Sequence, residues 1–131
     1  VPSKGYFFNE NDSWVSVNGN IARVGISDYV QQNLTDITFF EPPDVGSTVE
    51  QFDEIGTVES AKSSTYPISP VSGKVVGVNL TLADNPEILN EDPYGKGWIA
   101  EIELSDFESD KELLLDGNAY AEIVKKKAAE S

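Results

Sequence analysis

The sequence predicts a small, mostly β fold in which two similar hairpin-like halves face each other, with short helices at the edges and at the C-terminus. Three observations lead there. Short runs of alternating apolar and polar residues recur along the chain, bounded by Gly, Pro, Asn and Asp, which is the period of half-buried strands. Pro43-x-x-Gly46-x-x-Val49 returns 27 residues later as Pro70-x-x-Gly73-x-x-Val76, a pseudo-repeat that suits two related halves. With 131 residues and 39% hydrophobic content, the chain can bury one core, so a single domain over 1–131 is expected.

Tyr6, Phe7 and Phe8 form an aromatic anchor, followed by a polar turn from Asn9 to Ser13. Trp14 to Val17 alternates, Asn18-Gly19 is a strong turn signal, and Ala22, Val24 and Ile26 alternate beyond it. This predicts an antiparallel hairpin. Ser27 suits the N-cap of a short helix reaching Leu34, with Tyr29, Val30, Asn33 and Leu34 on related faces. Ile37 to Phe40 returns to strand, and Pro42-Pro43 stops it in a turn that ends near Gly46.

Val49 to Phe52 and Ile55 to Glu59 read as short strands around Asp53-Glu54, and Ser60 to Thr65 is a tight polar connection. Tyr66 to Gly73 is extended and then turns, with Gly73 serving the turn, before a strand through Val75, Val76 and Val78. Asn85-Pro86-Glu87 offers a cap, a proline at the first helical position and an acid in the first turn, so a helix is expected from Pro86 to Leu89. Asp92-Pro93 and Tyr94-Gly95 make a loop before Trp98, Ala100, Ile102 and Leu104 alternate in a last strand, with Glu101 and Glu103 facing water. From Glu108 the pattern turns helical. Leu113 to Leu115 fall in one helix, Asp116-Gly117-Asn118 breaks it, and a second helix runs from Ala119 to Lys127, its lysines suiting the C-terminal dipole.

Composition closes most catalytic routes. The chain has no cysteine and no histidine, which removes disulfides, thiol catalysis, the commonest general base and the commonest metal ligand. Nine basic against 23 acidic side chains leave a net charge of −14, which opposes nucleic acid and anionic lipid. Its apolar runs span only a few residues, so no membrane-crossing helix is expected. The partners should be proteins.

What remains is lysine chemistry, and Lys62 is the best placed. It sits at the tip of the connection between two extended segments, hemmed by Ser60, Ala61, Ser63 and Ser64. A flexible ammonium among such small neighbours leaves room for another protein's active site to close over it. Three N-x-S/T sequons, at Asn11, Asn33 and Asn79, would be glycosylation acceptors in a secreted chain.

The blocks Trp14-Val15, Val24-Gly25-Ile26-Ser27-Asp28-Tyr29, Val45-Gly46, Val58-Glu59-Ser60-Ala61-Lys62, Ser69-Pro70-Val71-Ser72-Gly73, Asn85-Pro86-Glu87 and Asn90-Glu91-Asp92-Pro93-Tyr94-Gly95-x-Gly97-Trp98 follow one another in this order. In them the chain resembles, over nearly its whole length, the lipoyl carriers related to the H protein of the glycine cleavage system. The resemblance implies a lipoyl-type barrel-sandwich hybrid of two facing sheets, with lipoic acid covalently attached at Lys62. It also implies a cytoplasmic monomer that carries a cofactor and is not itself an enzyme. Glu59, three residues before the lysine, is expected to be read by the lipoylating enzyme. Biotin carriers flank their lysine with methionines, and this chain has none.

Glycine-cleavage carriers commonly read H-E-W where this chain has Asp12-Ser13-Trp14, and place an aspartate where it has Tyr66. Those acids shelter the arm when it carries a cationic group, so Asp12, Ser13 and Tyr66 are expected to line the arm pocket. The missing carboxylates favour a lipoate-binding protein working with a heterodisulfide reductase-like complex in sulfur oxidation. Asp12 can supply one acid, which keeps the alternative of a glycine cleavage H protein carrying the aminomethyl group. Its partners would be glycine decarboxylase, aminomethyltransferase and dihydrolipoamide dehydrogenase. A third alternative is a binding module whose lysine is never modified.

Overall fold

The computed structural model describes residues 5–130. The elements run β1 (Tyr6–Phe8), β2 (Ser13–Asn18), β3 (Ile21–Ile26), α1 (Asp28–Leu34), β4 (Ile37–Glu41), β5 (Thr48–Val49), β6 (Thr57–Ser60) and β7 (Ser64–Thr65). Then follow β8 (Gly73–Val78), α2 (Leu80–Asp84), α3 (Ile88–Glu91), β9 (Ala100–Leu104), α4 (Phe107–Lys111), β10 (Leu115–Asp116) and α5 (Gly117–Glu130). They build a seven-stranded sheet in the order β10-β1-β2-β3-β9-β8-β5 and a three-stranded sheet in the order β4-β6-β7. The mostly β architecture with short edge helices and a C-terminal helix is as expected.

The alternation read from the sequence explains which faces meet. In the large sheet Val15 lies opposite Val24 and Ala22 opposite Ile102, and all four are fully buried. Phe40 and Val58, paired across β4 and β6, bring the small sheet into the same core. Burial of side chains of this size contributes roughly 1.5–3 kcal/mol each. The two copies of the Pro-x-x-Gly-x-x-Val pattern lie side by side: Val49 pairs with Gly73, and Gly46 N donates to Val75 O at 2.7 Å.

A second, aromatic cluster joins Phe8, Trp14 and Tyr120, with Tyr6 and Tyr94 at its edge. Phe8 and Tyr120 stack with centroids 4.4 Å apart. Trp14 Nε1 donates to Pro93 O at 2.9 Å, and the indole packs against Gly25, where a Cβ would come within 2.7 Å of it. The glycine leaves the space the tryptophan fills.

Several boundaries differ from the sequence reading, each for a tertiary reason. Asn18 pairs with Ile21 inside the ladder, so the hairpin loop is Gly19-Asn20, with Gly19 at φ 66°. Ser27 stands at the N-cap of α1 but makes no side-chain cap bond, because its hydroxyl is engaged by Tyr120. The strand expected through Phe52 ends at Val49, since Phe52 has a left-handed φ of 82° that no strand accommodates. The strand expected from Ile55 starts at Thr57, after Gly56 at φ 102° breaks the extension. Pro86 and Glu87 form a turn and α3 starts at Ile88, while α2 is a helix that the sequence pattern does not signal. Leu115 is strand rather than helix, because β10 gives β1 a partner, Phe8 opposite Leu115. The C-terminal helix begins at Gly117, two residues early. Gly73 opens β8 instead of serving a turn: a Cβ there would lie 2.1 Å from Glu103 O.

Candidate functional site

The hairpin of β6 and β7 carries Lys62 at its tip, with Val58 opposite Thr65 and Glu59 opposite Ser64. Its base is anchored, since Val58 is fully buried. The turn is shaped by serine. Ser60 N donates to Ser63 O at 2.8 Å, and Ser60 Oγ accepts from the N–H groups of Lys62 and Ser63 at 3.2 and 3.1 Å. A short hydroxyl that satisfies two turn donors holds such a connection between its strands through local bonds. Lys62 is exposed, and its ammonium makes a long contact, 3.5 Å to Asn33 O at the C-terminal end of α1. An acyl group on Nζ would displace that long contact at little cost, so the site fits a lipoyl amide.

Glu59 is half-buried, paired opposite Phe39 of β4 and Ser64 of β7. Val58 points into the core, so the alternation turns Glu59 to the outer face. Asp12 sits in the β1–β2 turn with a left-handed φ of 68°, and its carboxylate holds Lys127 Nζ at 2.8 and 2.9 Å. Lys127 also lies over the Tyr29 ring and donates to Glu10 O at 3.1 Å. Ser13 is buried, and among the described residues its Oγ has no hydrogen-bond partner. Tyr66 stands at the base of the Lys62 hairpin, half in solvent, and lines a groove that neither Asp12 nor Ser13 lines. The structure therefore keeps Asp12 and Ser13 adjacent and puts Tyr66 on a different surface feature.

The sequence reading missed Tyr120, Tyr94 and Lys127. Tyr120 OH donates to Asp12 Oδ1 at 2.8 Å and shares a hydrogen bond with Ser27 Oγ at 2.7 Å. Tyr94 OH accepts from Asp28 N at 3.0 Å. Burial pushes both phenols above their ordinary value near 10; for Tyr120 the adjacent Asp12 charge adds to it. A raised folded pKa means stability that is complete below pH ~10 and lost as pH climbs from there toward the folded value. Tyr120→Phe should cost about 1–3 kcal/mol at neutral pH by stranding buried Ser27 Oγ. It should also soften the loss of stability above pH ~10, which urea titrations from pH 7 to 11 on both proteins would measure. An equal alkaline loss in the two proteins would remove Tyr120 as its source.

Among the described residues no group of three acidic, histidine or cysteine side chains is placed to hold a metal, and no helix is long and apolar enough to cross a membrane. Residues 6–127 match the family described as Glycine cleavage H-protein. The chain is 40% identical over 124 residues to the glycine cleavage system H protein of Carboxydothermus hydrogenoformans, covering 95% of each. It is 42% identical to that of Staphylococcus epidermidis, covering 95% of this chain and 97% of the relative. The crystal structure of a glycine cleavage system H protein from Mycobacterium marinum superposes with a TM-score of 0.80 at 30% identity, covering 92% of this chain and 96% of that one. With a matching fold and an exposed hairpin lysine, this chain belongs to the glycine cleavage H-protein family, whose members carry lipoic acid on a lysine and are carriers rather than catalysts.

Proposed function

We propose that this chain is a glycine cleavage H protein: one carrier domain, lipoylated at Lys62, that takes the aminomethyl cargo from glycine decarboxylase to aminomethyltransferase and is then reoxidised by dihydrolipoamide dehydrogenase. The observation that carries the reading is Lys62, exposed at the tip of an anchored hairpin with small residues on both sides. The bound lipoyl group supplies a disulfide that accepts electrons and carries the cargo on sulfur. The protein supplies position: Val58 and Thr65 fix the hairpin base, Ser60 shapes the turn, and Glu59 faces outward where a lipoylating enzyme can read it. These partners act in the cytoplasm or an equivalent compartment, so the carrier is assigned there too.

Asp12 is already paired with the ammonium of Lys127, so it does not by itself separate an aminomethyl cargo from a sulfur cargo. The relatives named above carry the glycine-cleavage name, which weighs against the heterodisulfide reductase-like reading. Reconstitution decides between them. The lipoylated protein with glycine decarboxylase and aminomethyltransferase should be loaded in a glycine-dependent manner; no loading by glycine would reject the pathway while leaving the carrier role intact.

A further inference from the structure

An open groove of about 760 Å³ lies at the base of the Lys62 hairpin. Phe52 and Tyr66 form its aromatic walls, and Glu41, Asp44, Asp53 and Glu54 line it without any lysine or arginine among them. Phe52 and Tyr66 are each 52% exposed. Two large rings half in water beside four carboxylates make a surface of one definite chemistry.

Phe52 is the sharper sign. It lies in a turn closed by Asp53 N to Glu50 O at 3.0 Å and by Glu50 N to Asp53 Oδ2 at 2.8 Å, and its own N–H donates to Ser69 O at 2.9 Å. Those bonds hold it at φ 82°, a conformation that suits glycine and is a genuine outlier for a bulky side chain. The ring is not buried as compensation. Strain held at a residue that projects into a groove points to use by a partner rather than to packing.

We propose that this groove docks a protein segment that presents an arginine, its guanidinium laid against the aromatic rings and paired with the carboxylates. Arginine fits better than lysine because its planar cation both stacks on rings and forms bidentate bonds to carboxylates. The place also makes sense of the function. Thr57, the first residue of β6, and Tyr66, just after β7, line the groove, so a partner docked there grips the base of the hairpin whose tip bears Lys62. At a rise of ~3.3 Å per residue that is roughly 13–17 Å from the lysine. An enzyme is thus anchored beside the arm without touching it. The identity of that partner rests on the glycine-cleavage reading.

The test is calorimetric binding of the full chain to aminomethyltransferase and to glycine decarboxylase, at low and high salt, with melting temperatures measured alongside. Phe52→Gly should weaken binding to at least one enzyme about tenfold, yet melt at or above the wild-type temperature, because glycine accepts the left-handed backbone. Glu41→Gln with Glu54→Gln should weaken binding and flatten its salt dependence. Unchanged affinity in Phe52→Gly overturns the proposal alone. Weaker binding together with a lower melting temperature also overturns it, since Phe52 is then a structural residue. If the wild type binds neither enzyme, the proposal falls together with the glycine-cleavage reading.

Discussion

Lys62→Arg is expected to abolish lipoylation completely and to leave the fold as it is. Arginine keeps the charge and most of the length of the side chain, but its guanidinium stays protonated in proteins and offers no free amine to acylate. The position is exposed and its contact with Asn33 O is long, so the change in stability should stay within about 0.5 kcal/mol. Intact mass of protein produced with a lipoylating enzyme reads the result: one lipoyl increment in the wild type, none in the variant, with equal urea midpoints. A lipoyl increment that persists in Lys62→Arg would place the arm on another lysine. An increment absent from both proteins would favour the unmodified binding module.

Gly73→Ala should be the most destabilising small substitution in the chain, by about 3 kcal/mol or more. The added methyl would lie 2.1 Å from Glu103 O and 2.7 Å from Ile102 Cγ2. Neither is a loose side-chain end: Glu103 is backbone of β9, whose neighbour Leu104 pairs with Gly73 itself. Relief would have to pull β8 away from β9, and β5 with it, because Val49 pairs with Gly73 on the other side. Gly19→Ala makes the contrast. A Cβ there meets nothing within 4 Å, and only its φ of 66° resists, at about 1–2 kcal/mol. Urea unfolding of the two variants should rank them in that order; the reverse order would mean that β9 yields and that the close approach is not what requires glycine.

Much of this molecule was legible before any coordinates, and the legible part was local. The β2–β3 hairpin, the strand through Ile37 and the strand ending at Leu104 follow from side-chain alternation, because a period of two reports burial on one face wherever a strand lies. The Lys62 turn was legible for a similar reason. Its geometry is set by Ser60 and Ser63 within four residues, so neighbours in sequence suffice to place the lysine at a tip.

What the sequence left open depended on groups far apart along the chain. Leu113 to Leu115 have helical composition, yet Leu115 is strand because β1 needs an edge partner, and pairing with a remote strand outweighs a weak local preference. Asp12 meets Lys127 across 115 positions and Tyr120 across 108, and no spacing rule reaches that far. Sequence by itself determined the class of fold, the lysine at the hairpin tip and the exclusion of thiol and imidazole chemistry. Tertiary structure alone decided that Asp12 is already occupied by a cation, that Tyr66 belongs to a groove with Phe52, and that Gly73 cannot carry a side chain. The physical reason is that alternation and turn chemistry act over a few residues, whereas ion pairs, grooves and backbone clearances exist only once distant segments have been packed together.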